Sequence, residues 1–302
     1  MRSSRGAAGS RNLADMDGLG IIAGGGDLPR RVAETSRASG RAVAVVALEG
    51  FADAWFESFQ HVRAGVGEIG KMIAFFRAKE VATVTFAGLV RRPNFSSIRL
   101  DARGAALLPR AVAAALRGDD ALLRVVIGVF EAEGFAIASP ESLDGDLLAR
   151  PGPLGAFSPA AEHDADIQKG FEAARAIGAL DIGQAAVVCG GLVLALEAQE
   201  GTDRMLERVA DLAPEIRGEP GRRRGVLVKA AKPGQDRRID LPTLGAETVA
   251  RVERAGLAGV ALEAGGALIV DREAVRRLAD AAGLFVWVAP PVALEEKGAS
   301  AT

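Results

Sequence analysis

The sequence predicts an α/β protein built as two α/β domains, the N-terminal one Rossmann-like with a parallel sheet. Three observations carry that expectation. Short apolar runs of strand length alternate with stretches of helical character along most of the 302 residues. Glycine turns stand where strands should hand over to helices. A segment holding three prolines and two glycines, at 148–159, interrupts the alternation and leaves a part of ordinary domain size on either side.

The first part opens with an apolar run at 19–23, turns at Gly24–Gly26 and continues as a helix over 28–39. A second apolar run at 42–48 ends at Glu49, and a helix–strand pair follows at 69–79 and 81–87. Strand–helix alternation of this kind argues for parallel strands with covering helices. Residues 109–117 and 121–133 read as helices, and 135–138 as a short strand. Beyond the Pro-rich segment, 161–180 reads as a helix, and 185–189 and 192–197 as strands around Gly190-Gly191. A helix at 202–212 and a strand at 225–230 lead into a polar loop at 231–245. Helix 247–255, strands at 260–263 and 267–270, helix 271–282 and strand 284–288 complete a second α/β unit. The expected division is a tail at 1–17, an N-terminal domain at 18–150, a linker at 151–160, a C-terminal catalytic domain at 161–290 and a second tail at 291–302.

Composition narrows the chemistry. Thirty-seven basic against 39 acidic residues give a net charge of −2, with no basic surplus to hold a nucleic-acid backbone. The single cysteine, Cys189, allows neither an intrachain disulfide nor a Cys-rich metal site, and two histidines make a His-rich zinc site improbable. A metal, if used, would be a hard cation held by carboxylates and phosphate oxygens. The first residues lack the apolar stretch of a secretory signal, and the longest apolar run, 185–196, is too short to span a bilayer. The expected location is the cytoplasm.

Five segments could carry chemistry. Gly24-Gly25-Gly26-Asp27-Leu28-Pro29 joins a strand to a helix, where backbone amides can cradle an anion. A tight turn with Asp27 as helix cap accounts for it equally, and Pro29 stands where a dinucleotide fingerprint has its third glycine. Gly88-Leu89-Val90-Arg91-Arg92-Pro93 follows an apolar strand, so Arg91 and Arg92 are either a phosphate clamp or a solvated turn. Asp119 and Asp120 precede a helix, as caps or as metal ligands. Glu200-Gly201-Thr202-Asp203 puts carboxylates beside a helix start, close to Glu197. The most informative segment is the loop Lys232-Pro233-Gly234-Gln235-Asp236-Arg237-Arg238-Ile239-Asp240, which follows a strand containing Lys229. A loop needs glycine and proline, whereas opening a phosphoanhydride needs cations and a carboxylate, and this loop has both.

Read together, these motifs resemble the UDP-2,3-diacylglucosamine pyrophosphatase family of lipid A biosynthesis, the type unrelated to calcineurin-like phosphoesterases. The resemblance spans about 19–289 and also takes in Gly118-Asp119-Asp120-Ala121-Leu122-Leu123-Arg124 and Arg238-Ile239-Asp240-Leu241-Pro242. It implies a two-domain, homodimeric, Mg²⁺-dependent enzyme that hydrolyses its lipid-linked UDP-sugar to UMP and 2,3-diacylglucosamine 1-phosphate, with the ligand held between the domains. Peripheral contact with the inner membrane would follow from a lipid substrate.

Carried onto this chain, the resemblance makes Asp236 the leading catalytic carboxylate; as a hypothesis it also holds Mg²⁺, with Asp240 or Asp203 nearby as a further ligand. Substrate would be held by Gly24, Gly25, Gly26, Leu28, Pro29 and Arg91 in the first domain. Gly190, Gly191, Thr202, Lys229, Lys232, Gln235 and Arg238 would hold it in the second. Two competitors stay open: a nicotinamide-dependent oxidoreductase, suggested by the glycine turn and Glu49, and a non-catalytic sensor of a nucleotide or lipid precursor.

Overall fold

The structure is a computed structural model that describes residues 17–92, 94–96, 98–233 and 241–291. The chain divides into two compact units, Met1–Asp144 and Gly145–Thr302.

In the first unit the elements run β1 (Gly18–Ala23), α1 (Leu28–Ala38), β2 (Val43–Leu48), a 3₁₀ turn at Ala54–Ser58, β3 (Gln60–Ala64), α2 (Ile69–Ala78) and β4 (Val81–Ala87). They continue as α3 (Ala102–Ala115), α4 (Asp119–Ala132), β5 (Ala136–Ile137) and α5 (Pro140–Leu143). The strands form one five-stranded sheet in the order β3-β2-β1-β4-β5, parallel throughout. The chain therefore leaves β1 in one direction and later returns to its other side, which makes the β1/β4 edge a topological switch point. Leu19, Ile21, Val45 and Val84 are fully buried, as expected of parallel strands covered on both faces.

Among the elements that depart from the sequence reading are β3 and α3. β3 is a polar edge strand (QHVRA) with no apolar run to announce it. α3 begins at Ala102 rather than at Pro109, because the Asp101 carboxylate caps it by accepting from the Gly104 amide at 2.8 Å. The other Asp101 oxygen accepts from the Lys71 amide in the first turn of α2, so one side chain fixes two helix starts. Pro109 then lies inside a helix that it did not nucleate.

The second unit starts with β6 (Gly152–Pro153), a 3₁₀ turn at Ala161–His163, α6 (Asp164–Ala179), β7 (Ala185–Cys189), β8 (Leu192–Leu196) and α7 (Gly201–Ala210). Next come α8 (Pro214–Arg217), β9 (Gly218–Glu219), β10 (Arg222–Arg223), β11 (Val226–Lys229) and β12 (Thr243–Leu244). It ends with α9 (Ala246–Arg254), β13 (Gly259–Glu263), β14 (Leu268–Ile269), α10 (Arg272–Ala282) and β15 (Phe285–Ala289). Its main sheet is six-stranded and mixed, in the order β6-β15-β13-β11-β7-β8. β11, β13 and β15 run parallel, while β7 is antiparallel to both β11 and β8. The Pro-rich stretch read as a linker supplies β6, an edge strand antiparallel to β15, a position that tolerates proline.

α6 covers one face, packing Ile167, Phe171 and Ala174 on Val226, Val228 and Phe285. A larger core fills the other face, where Met205 and Leu206 of α7, Val252 of α9 and Val275 of α10 meet Val187, Leu227 and Val260. Among the described residues no helix is long and apolar enough to cross a membrane.

Candidate functional site

Strand register decides which candidate residues share an edge of the second unit. Lys229 closes β11 and pairs with Ala185, the first residue of β7. Leu196 near the end of β8 pairs with Ala186. The carboxyl end of β11, the start of β7 and the end of β8 therefore lie together, and with them Gln184, Glu197 and the following helix start at Thr202. Ligands of open α/β sheets gather at such carboxyl edges.

The edge is rich in buried charge. Lys229 is 4% exposed, and its Nζ donates to the Thr243 carbonyl at 2.9 Å. Lys232, just past the strand, donates to the Asp181 carboxylate at 2.7 Å. Glu197 is buried, with one carboxylate oxygen accepting from the Gln184 amide and the other from the Thr202 hydroxyl at 2.8 Å. With its hydrogen given to Glu197, Thr202 Oγ1 presents lone pairs and not a donor. The Gln184 side-chain oxygen is buried with no hydrogen-bond partner. Taking charged and polar groups out of water costs stability even when they are partnered, so such a concentration marks a candidate site.

Asp203 points elsewhere. Its carboxylate lies 3.3 Å from Arg251 Nε, in a cluster where Glu207 and Glu247 also reach the guanidinium at 2.7 and 2.6 Å. Burial works against that charge, but the hydrogen bond the guanidinium donates to Glu247 and the neighbouring carboxylates outweigh it and raise the Arg251 pKa.

Gly190 and Gly191 sit at the opposite edge. Val188 pairs with Val226, so the turn after β7 lies at the amino end of β11, about 15 Å along the strands from Lys229. Both glycines hold positive φ (59° and 78°), and both amides donate to the buried Asp166 carboxylate at 2.8 and 2.7 Å. An anion already fills this cradle, and it belongs to the protein. Cys189 beside it is buried, and desolvation pushes its thiol pKa up, which suits a small core residue.

In the first unit the turns after β1 and β4 are tied to each other. The Gly24 amide donates to Ala87 O, and Gly25 and Leu89 exchange both backbone hydrogen bonds at 2.9 Å. A Cβ on Gly24 would stand 2.6 Å from Leu89 O. One on Gly88, whose φ is +90°, would stand 2.6 Å from Gly25 O and 2.7 Å from Pro29 Cγ. These glycines are required by the close approach of two backbones. Gly26 turns the chain at φ +84° into α1, where Leu28 and the buried Pro29 form the first turn. Asp27 precedes the helix without a side-chain capping bond. Arg91 is exposed beside Leu89 and Val90, which are 64% and 42% exposed, while Arg92 pairs with Asp119 at 2.7 Å. Glu49, where a dinucleotide fold would bind ribose, pairs instead with Arg99 at 2.5 Å.

Comparison with known proteins accounts for both units. The first matches the family model described as LpxI N-terminal domain over residues 18–147, and the second matches the LpxI C-terminal domain over 150–287. The chain belongs to the LpxI family. A Caulobacter vibrioides relative named UDP-2,3-diacylglucosamine pyrophosphatase LpxI is 54% identical over 273 residues, covering 90% of this chain and 98% of that protein. Among solved structures, CobK precorrin-6A reductase aligns with 92% of this chain and 89% of its own at 13% identity and a TM-score of 0.33.

For this LpxI-family chain, the sequence-derived residues Gln235, Asp236, Arg238 and Asp240 lie outside the described residues. The described residues do not by themselves fit a Mg²⁺ site. Among them no three histidine, cysteine or carboxylate side chains cluster as metal ligands, and Asp203 is committed to Arg251. Gln184 and Asp181 were missed by sequence reasoning. Each becomes visible only once β7 is paired with β11 and α6 is laid over them, and neither carries a motif.

Proposed function

We propose that this protein hydrolyses the pyrophosphate bond of UDP-2,3-diacylglucosamine, releasing UMP and 2,3-diacylglucosamine 1-phosphate for lipid A biosynthesis. The observation that carries the reading is the 54% identity to a UDP-2,3-diacylglucosamine pyrophosphatase across 98% of that protein's length. The carboxyl edge of β11 supports it from the side of chemistry. A phosphoanhydride carries negative charge that grows on the leaving phosphate, and cations held in a water-poor setting stabilise it more than they could in bulk water. Lys229 is such a cation, fixed by Thr243 O at 2.9 Å, and Lys232 stands beside it, partly balanced by Asp181.

Asp236 follows Lys232 closely in the sequence and is the leading catalytic carboxylate of the proposal, with Gln235 and Arg238 as substrate contacts. It orients or deprotonates the water that displaces one phosphate from the other. Mg²⁺ belongs to the proposal, with Asp236 and Asp240 as its carboxylate ligands; bound there it would screen the phosphate oxygens. Cytoplasmic location, a homodimer and substrate contacts from Gly26, Leu28 and Arg91 complete it.

The decisive experiment is UMP release from detergent-dispersed UDP-2,3-diacylglucosamine, with Mg²⁺ present and then chelated. Release that stops on chelation establishes reaction and cofactor together; release that continues removes the metal and keeps the hydrolysis. Folded protein that releases no UMP overturns the reading. Asp236→Ala is expected to lower turnover by about 10²–10⁴-fold while leaving the thermal transition in place, and a variant with near-native turnover would remove Asp236 from the site.

A further inference from the structure

The hydrolytic reading makes no use of the α3–α4 hairpin, which carries an open groove of about 600 Å³. Its floor is a second apolar stripe of α4: Ala121, Val125, Val129 and Ala132 recur at helical spacing, while Ile127 and Phe130 on another face of the helix enter the core. Arg110, Arg117 and Arg124 line the groove and are exposed. Leu116, at the tip of the hairpin beside Arg117, is 86% exposed.

Of the arginines, Arg124 has a partner, as do the nearby acids Asp120 and Glu131. Glu133, at the far end of the groove, pairs with Arg103 and with Arg77, and the Arg103 hydrogen bond holds its carboxyl below the usual range. Asp119 pairs with Arg92 at 2.7 Å. Arg110 and Arg117 make no ion pair among the described residues. A second copy of the chain fits poorly, since a twofold contact would set arginine against arginine with the nearby acids already spent. Exposed guanidinium groups around an apolar floor, with a bare leucine at the tip, match a surface that is anionic outside and hydrocarbon beneath.

We propose that the α3–α4 groove docks the protein on an anionic phospholipid bilayer, the arginines meeting lipid phosphates and Leu116 entering the interfacial acyl region. The proposal rests on the hydrolytic reading in one respect: a diacylated substrate resides in a leaflet, so the enzyme must reach one.

The test sediments the full chain with phosphatidylcholine vesicles and with the same vesicles containing phosphatidylglycerol. Binding is expected only to the second, falling with added salt. Arg110→Glu/Arg117→Glu should weaken it at least about thirtyfold, and Leu116→Ser should weaken it independently. Neither variant touches the hydrolytic machinery, so both should release UMP from detergent-dispersed substrate as the parent does and melt at the same temperature. Three results would overturn the surface: no binding of the parent to anionic vesicles, undiminished binding of the double variant, or a parent dimer that the double variant converts to monomer. Vesicle binding without UMP release from any preparation would instead overturn the hydrolytic reading and leave the surface standing.

Discussion

The carboxyl edges of the two sheets are held by different means. After β1 and β4 the chain is knit backbone to backbone: the amides of Gly24 and Gly25 are spent on Ala87 and Leu89, with glycine required at 24 and 88 for the backbones to approach. At the end of β11 the bonds come from buried and half-buried side chains, with Lys229 on Thr243 O, Lys232 on Asp181, and Glu197 between Gln184 and Thr202. A backbone-knit edge can be tight without any ligand. A charge-held edge is an expensive way to build a sheet, so its charges need a use beyond stability. A glycine-rich turn and a lysine at a strand end are both familiar signs of phosphate, and here the close approach of two backbones accounts for the first.

Substituting each edge should expose the difference. Gly88→Ala places a Cβ 2.6 Å from a backbone oxygen at φ +90°, and the strain should cost about 3–4 kcal/mol in urea unfolding. A loss below about 1 kcal/mol would mean that the β1 and β4 turns are not bound together as described. Lys229→Met is expected to do the opposite. Removing a buried cation while keeping its apolar stem should lower kcat/KM for UMP release about a hundredfold, with a stability loss, from the donor taken from Thr243 O, smaller than that of Gly88→Ala. A variant with full activity but a collapsed melting temperature would make Lys229 a structural residue and erase the contrast.

How much of this was legible in the sequence follows from the same physics. β1, β2, β4, β7 and β13 are apolar runs, because strands buried on both faces must be, and the strand length of those runs announced them. β3 was not legible, since an edge strand of sequence QHVRA carries no apolar signal. β6 hid inside a Pro-rich stretch that reads as a linker, because an edge strand can include proline and a two-residue strand has no period. At the site, Lys229 and Lys232 could be picked out by residue type in a place where a loop has no need of them. The bond between Glu197 and Thr202 and the cluster of Asp203 with Arg251 depend on which faces of β8, α7 and α9 meet, and no local pattern encodes that. The sequence reading groups Gly190-Gly191 with Lys229 as substrate contacts of the second domain. The antiparallel pairing of β7 with β11 puts them at opposite ends of the sheet.

That last separation extends the comparison to an amino edge and can be broken by one atom. Asp166→Asn leaves one acceptor oxygen where two amides now donate to two, and should cost about 1–2 kcal/mol of stability. UMP release below the transition should stay within about twofold of the parent, because the turn lies about 15 Å from Lys229. A tenfold drop in turnover at unchanged stability would bring the Gly190-Gly191 cradle back into the site, with Asp166 holding the place of a substrate anion.

The smallest effect is expected where the first unit's edge does use a side-chain brace. Glu68 accepts from the Gly65 amide at 2.7 Å in the turn after β3, and its carboxylate also faces Lys71 and Arg99. The backbone hydrogen bond, with help from those two cations, holds its pKa below the ordinary glutamate value. A carboxyl depressed in the folded state binds its proton more readily when unfolded, so its contribution is present above the unfolded value and fades as pH falls through the folded one. Glu68→Gln should therefore cost about 1 kcal/mol at neutral pH, and the gap between parent and variant should close in acid below the usual glutamate range. A gap that persists or widens there would show that the turn after β3 depends on the shape of the side chain and not on its charge, which would align it with the backbone-knit turns at Gly24 and Gly88.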